Sequence, residues 1–346
     1  MKRVILILFF ISALSFPVSA SGIVAPSVPD DVEQLLPAEQ DDFGNVLFYI
    51  LREAFDRVQP QVASCVKIGM QVVGSTLILA LLRHYNGKSK AMVELAGVLV
   101  VSGLLLDSSN SLIQLGTNTV WQISQYGKLL LPVMAAALAA QGGSISATSL
   151  YGATALFDTI LSALVSSVLI PMVYVYIVLS IMNAASNDTL LTKLRDLMKW
   201  IMTWSLKIML YIFTGYISIT GLISGAADQT AVKAAKITIS GMVPVVGGIL
   251  SDASETILIS AAVVKNSVGI YGMLGIIAVM IIPFMTIGMN YLSMKLTAAF
   301  STIFAPKNVS DLLGDFTSAM GLVLGMTGSV CLIQLISVVC FLKGMS

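Results

Sequence analysis

The stretch VGIYGMLGIIAVMIIPFMTIGMNYL, residues 268–292, contains no charged residue. A helix that crosses a bilayer needs about 20 mostly apolar residues, so this stretch predicts a membrane-spanning helix. Five further stretches have the same character and are predicted to span: 62–82, 91–114, 153–183, 201–223 and 317–342. The predicted fold is therefore all-α, a polytopic transmembrane helical bundle of about six to eight spans.

The composition of the whole chain agrees with this prediction. Hydrophobic residues make up 57% of the 346 residues and charged residues only 11%, and the mean hydropathy is +0.92. An ordinary globular protein has about 25% charged residues. So little charge cannot cover a surface that faces water, which argues against a soluble enzyme, a nucleic-acid-binding protein or a disordered chain. Membrane lipid is the expected surrounding, with no nucleic acid as a partner.

The few charges are unevenly distributed along the chain. Residues 21–60 carry eight acidic residues against Arg52 and Arg57. Two loops are basic instead, the first with Arg83, Lys88 and Lys90 and the second with Lys193, Arg195 and Lys199. Because loops rich in lysine and arginine stay in the cytoplasm, both are predicted to lie inside, with the acidic segment outside.

The N-terminus has the three regions of a secretory signal, which predicts a signal peptide over residues 1–20. An uncleaved anchor is the alternative. Residues 21–60 then form an acidic extracytoplasmic segment, and residues 61–346 form the multi-pass membrane domain. Apolar residues at steps of three and four between Phe43 and Val58 predict an amphipathic helix. This helix could lie on the membrane surface, dock a partner, or pack on the bundle as a lead-in.

Two shorter apolar pieces, 129–141 and 237–250, are too short to cross as regular helices. They contain Pro132 and Pro244. Glycine pairs stand at the end of each piece, Gly142-Gly143 and Gly247-Gly248. Broken backbone at membrane depth is tolerated only where protein or a water-lined cavity covers it. These pieces are predicted to be re-entrant or broken segments.

The prolines also indicate a weak internal parallel repeat. Pro132 and Pro171 are 39 residues apart, as are Pro244 and Pro283, and the two pairs are offset by 112 residues. Each unit would be an outward span, a broken proline segment and a returning span. Internal repeats are frequent in transport folds. The alternative function is therefore a stand-alone secondary transporter built on this repeat.

Ionisable side chains inside apolar segments are costly and are usually functional or paired. The candidates are Lys67, Glu94, Asp158 and Lys207. One interpretation is a polar pathway or proton relay. The other, which we favour, is interface anchoring with a structural ion pair, because long side chains near span ends reach water. Asp158 is expected to mark the outer edge of the 153–183 run.

No residue pattern predicts catalysis. His84 is the single histidine, which excludes a Ser–His–Asp triad or a histidine metal cluster within one chain. Cys65, Cys331 and Cys340 stand in apolar runs and are predicted to be buried, unreactive thiols. The chain also has no HExxH and no GxSxG motif. The sequence therefore predicts a protein that is not an enzyme and that has no cofactor or metal.

Two stretches carry a resemblance to a known family. The longer is GLISGAADQTAVKAAKITISGMVPVVGGILSDASETI, residues 221–257, and the shorter is LLLPVMAAALAAQGG, residues 129–143. Together they resemble the stage III sporulation protein AE family of endospore-forming bacteria. The resemblance implies a non-enzymatic membrane part of the channel, or feeding tube, between mother cell and forespore, with secretion-like components.

The resemblance further implies a place, partners and an assembly motif. The place is the mother-cell membrane around the engulfed forespore. The partners are the AA ATPase, the ring-forming AG and AH proteins, others of the same set, and stage II sporulation protein Q. The motif residues are Gly221, Gly225, Asp228, Pro244, Gly247, Gly248 and Asp252. We expect the segments 129–141 and 237–250 to line a cavity or an assembly surface that faces the intermembrane space.

Overall fold

The computed structural model describes residues 43–85, 90–140, 144–186, 188–219 and 267–344. These residues form helices α1 (Phe43–Tyr85), α2 (Lys90–Ala140), α3 (Ser144–Leu164), α4 (Ile170–Ser186), α5 (Thr189–Ile219), α6 (Ser267–Ser301) and α7 (Lys307–Gly344). A π-helical turn, Val165–Leu169, joins α3 to α4 without a break. The described part of the chain contains no strand, as the sequence predicts.

Five stretches of helix in the described ranges are long and apolar enough to cross a membrane: Gly44–Tyr85, Lys90–Ala136, Leu150–Ser186, Gly272–Ser301 and Lys307–Leu342. They contain four of the six predicted spans in full and residues 272–292 of a fifth, 268–292. The sixth, 201–223, coincides with α5 as far as Ile219, and its remainder lies outside the described residues. Helix α5 is not one of these five stretches, and Lys207 lies within its apolar part.

Contacts between helices give their relative directions. Gly97 and Gly116 of α2 face Val309 and Val323 of α7 respectively, so α2 and α7 are parallel. Gly275 of α6 faces Tyr126 of α2, and Gly272 faces Leu130, so α6 runs antiparallel to α2. The order of crossings predicted from the basic loops requires the same relative directions for these three helices.

The core of the bundle is formed by α6 and α7. In the most apolar windows of these helices, 78% and 72% of residues are buried inside the protein, against 22% for α1 and 28% for α2. A helix that is apolar on all sides needs burial on all sides. Gly275 gives Tyr126 of α2 its space, because a methyl group there would collide with the hydroxyl and ring of Tyr126.

The amphipathic helix predicted between Phe43 and Val58 is the first part of α1, which continues through Pro60 to Tyr85. Part of its apolar stripe is turned into the bundle, with Ile50 and Ala54 fully buried, whereas Phe55 of the stripe is 61% exposed. The structure therefore supports the lead-in that packs on the bundle over a helix that lies free on the membrane surface. The signal peptide predicted for residues 1–20 and most of the acidic segment 21–60 lie outside the described residues.

The prediction that 129–141 forms a separate broken segment is wrong for residues 129–140. They are the last three turns of α2, which runs without interruption from Lys90 and contains Pro132. A proline inside a helix removes one backbone hydrogen bond. Burial of the neighbouring Leu130, Leu131 and Met134 offsets that loss. Gly142, Gly143 and the segment 237–250 lie outside the described residues, so the repeat with Pro244 is not tested.

The other two prolines of the predicted repeat lie in helical backbone. Pro171 is the second residue of α4 and stands two positions after Leu169, the end of the π-helical turn. The wider backbone of a π turn accommodates the missing N–H and the ring of a proline. Pro283 lies inside α6. The predicted span 153–183 is thus one continuous helical rod of three parts.

Candidate functional site

A buried polar cluster lies where α2, α3 and α7 meet. Asp158 of α3 is 2% exposed, and its Oδ2 accepts a hydrogen bond of 3.0 Å from Ser124 Oγ of α2. Gln334 of α7 is fully buried and faces the same carboxylate. Its amide lies directly against Gly127, where no larger residue would leave it space. Three helices thus converge on one carboxylate.

The hydrogen-bonding capacity of this cluster is only partly used. Asp158 Oδ1 and both amide atoms of Gln334 make no hydrogen bond of good geometry with the described residues. Each buried polar group without a partner costs about 1–3 kcal/mol. The cluster is therefore suited to joining helices through polar contacts, and the charged group that acts on Asp158 is the exposed Lys128 of α2.

A second cluster joins α4, α5 and α7. Arg195 Nη1 contacts Asp315 Oδ2 at 2.8 Å, and both side chains are 13% exposed. Tyr176 donates its hydroxyl to Asp315 Oδ1 at 3.1 Å. Arg195 also pairs with the exposed Asp196 at 2.8 Å, and Lys199 donates to Ser318 Oγ at 2.9 Å. Sequence reasoning placed Arg195 only in a basic loop and missed Asp315 and Tyr176.

A small cavity of about 20 Å³ lies between α1, α2, α6 and α7. This volume is about that of one water molecule. Its polar lining consists of Ser108, Asn290, Ser293 and Thr297, and Cys65 borders it. Ser293 Oγ donates to the Cys65 carbonyl at 3.2 Å. All three cysteines are buried, as predicted.

The four intramembrane candidates have different surroundings. Lys67 is exposed and Lys207 is half-buried. Glu94 forms an ion pair of 3.1 Å with Arg83, which closes the hairpin of α1 and α2. Asp158 is enclosed by three helices, and its position at the outer edge of the 153–183 run stays a prediction. The structure brings no two of these four into contact in the described residues.

The predicted assembly motif cannot be placed in the same way. Gly221, Gly225 and the five other motif residues through Asp252 lie outside the described residues. Pro132, Pro171 and Pro283 do lie in the structure, each in a different helix.

The polar partners of Asp158, Ser124 and Gln334, were not identified from sequence. The one available signal was that Gln334 is the single amide in the apolar run 317–342.

The sequence profile of the stage III sporulation protein AE family matches residues 32–344, which is nearly the whole chain. The chain belongs to the stage III sporulation protein AE family. The resemblance in residues 129–143 and 221–257 is thereby confirmed, and the family indicates a role in sporulation. The membership also covers the stretch 32–60, for which the sequence itself offered no residue-by-residue match.

A curated relative is the stage III sporulation protein AE of Bacillus subtilis strain 168, which is 27% identical over 180 residues. The aligned part covers 52% of this chain and 45% of the relative, so the match spans about half of each protein. No solved structure matches the chain.

Proposed function

We propose that this protein is a non-enzymatic membrane component of the channel complex that connects mother cell and forespore and that spore development requires. The observation that carries the proposal is the family match over residues 32–344. Five helices able to cross a bilayer agree with a membrane component. The polar clusters around Asp158 and Asp315 contribute helix contacts.

The proposed location is the mother-cell membrane around the engulfed forespore, also called the outer forespore membrane. The proposed partners are the AA ATPase, the ring-forming AG and AH proteins, other proteins of the stage III A set, and stage II sporulation protein Q. In the orientation predicted from the basic loops, Arg83 and Lys193 lie on the cytoplasmic side, which is accessible to an ATPase.

Affinity purification of the full chain from sporulating cells tests the proposal directly. The chain carries a tag and replaces the native copy, and the bound proteins are identified after mild solubilisation. We expect proteins of the stage III A set and stage II sporulation protein Q in the eluate. Cells that have not begun to sporulate are the control. Recovery of the chain without any of these partners would contradict the proposal.

The alternative, a stand-alone secondary transporter, gains one observation from the structure, the buried carboxylate of Asp158. The substitution Asp158→Asn separates the two functions. An asparagine has nearly the same shape and can still accept a hydrogen bond from Ser124, so a structural cluster tolerates it. A proton relay does not, because the amide cannot exchange a proton with its surroundings.

The measurement is the spore yield of cells whose only copy carries Asp158→Asn or Asp158→Ala. We expect a near-normal yield for the asparagine variant and a reduced yield for the alanine variant. Purified chain in liposomes should give no substrate-dependent flux. Loss of spores with Asp158→Asn, together with flux from the unaltered chain, would favour the transporter.

A further inference from the structure

Helix α5 has two opposite apolar faces. Met202, Leu206 and Phe213 on one face are fully or almost fully buried against the bundle. The opposite face carries a row of apolar residues that are alternately four and three positions apart. We call this row the α5 seam; it consists of Leu190, Leu194, Leu197, Ile201, Trp204, Ile208 and Tyr211. Six of these seven side chains are exposed, and Ile201 is half-buried. This alternation is the spacing of a helix that packs along another helix.

Lipid accounts for only part of this seam. The segment 193–199 contains four charged residues, Lys193, Arg195, Asp196 and Lys199. Such a segment does not lie in hydrocarbon. Because α5 is one uninterrupted helix, its first half cannot turn to lie flat on the membrane while the second half packs on the bundle. The leucines at the start of the seam are therefore exposed where acyl chains do not cover them.

We propose that the α5 seam binds the α5 seam of a second copy of this chain, with the two helices parallel. Two copies inserted in the same membrane have the same orientation, so a rotation axis along the membrane normal brings equivalent helices together in parallel. Every seam residue then faces its own counterpart, and the large side chains Trp204 and Tyr211 lie at the contact.

The charges that flank the seam fit the parallel arrangement. Lys193 and Lys207 each stand one residue before a seam residue. In a parallel pair of helices, Lys193 would lie beside Met198 of the other copy, and Lys207 would lie beside Ile212 of the other copy. The methylene stems of lysine pack well on such side chains. If the two α5 helices were antiparallel and met at the middle of the seam, Lys193 of one copy would lie beside Lys207 of the other. Two positive charges at such short distance repel each other.

Cysteine cross-linking in membranes tests this contact. The variants Leu197→Cys and Ile208→Cys place a thiol at two seam positions, each 47% exposed. The matched control is Val175→Cys on α4, which is 48% exposed and outside the seam. The unsubstituted chain, whose three cysteines are buried, is the second control. Isolated membranes from cells that produce the full chain are oxidised and the products are separated without reductant.

We expect a covalent dimer of this chain from both seam variants and from neither control. Adding Leu197→Glu to the Ile208→Cys chain should lower the dimer yield about tenfold, because a carboxylate then faces its own counterpart across the seam. Equal yields from Val175→Cys would show random collisions and overturn the proposal. It would equally be overturned by absence of the dimer or by a cross-link to a different protein. None of these outcomes depends on the proposed channel function.

Discussion

The ion pair between Arg195 and Asp315 should be the most valuable single polar contact of the described bundle. Its two side chains are 13% exposed, and the 2.8 Å contact joins α5 to α7. Removing one partner of a fully buried pair costs about 3–5 kcal/mol, whereas an exposed pair contributes about 0–1 kcal/mol, so the loss from this partly buried pair should lie between these limits. Arg195→Ala leaves the Asp315 carboxylate with the Tyr176 hydroxyl as its donor, so we expect a loss in this range.

A matched control exists on the same arginine. Asp196 also contacts Arg195 at 2.8 Å, but its side chain is 60% exposed. An exposed pair contributes about 0–1 kcal/mol, since water solvates both charges when they separate. Asp196→Ala should therefore cost at most about 1 kcal/mol, although the two contacts have the same length.

The assay is the unfolding of purified variants in detergent, followed by circular dichroism during heating or addition of SDS. The double variant Arg195→Ala/Asp315→Ala leaves no unpaired charge at this contact, so its loss should be smaller than the sum of the single losses by about 1–3 kcal/mol. The reasoning would be refuted if the double variant lost as much stability as the two single variants together. It would also be refuted if Asp196→Ala were as unstable as Asp315→Ala.

Two further substitutions test the packing of α2. Gly127→Ala should destabilise the fold by about 1–3 kcal/mol in the same assay, because the added methyl group meets the Gln334 amide. Gly103→Ala is its control, since a methyl group there meets open space and gains up to about 1 kcal/mol from helix propensity. Pro132→Ala should not lower the midpoint of unfolding, because it restores a backbone donor in a helix that is already continuous. A marked loss from Gly103→Ala or Pro132→Ala would contradict these expectations.

Much of the fold follows from apolar runs alone. Lipid leaves every backbone polar group to be satisfied within the helix, so a long apolar run has little choice of structure. The runs 268–292 and 317–342 became α6 and α7 for this reason. The rule failed at Pro132, where a local signal predicted a break. There the burial of Leu131 and Met134 outweighed one missing hydrogen bond, and such packing is not visible in a local pattern.

The polar clusters were less predictable because their members are distant in the chain. Asp158 attracted attention as a charge in an apolar run, but Ser124 is 34 residues away. Arg195 and Asp315 are 120 residues apart. Serines and aspartates of this kind occur throughout the sequence, and only the packing of helices selects which of them meet. Periodicity identifies the face of a helix but not the helix that it contacts.

The position of α6 and α7 at the centre of the bundle has a consequence for biosynthesis. A ribosome makes the chain from its N-terminus, so α1 to α5 enter the membrane before the two helices that they surround. Until then, lipid has to occupy the space between them, and α1 cannot yet form its extensive contact with α6. Final packing is therefore delayed until the C-terminal quarter, which begins near Ser267, has been translated. An early stop codon would release a set of inserted helices that have lost the centre around which they pack.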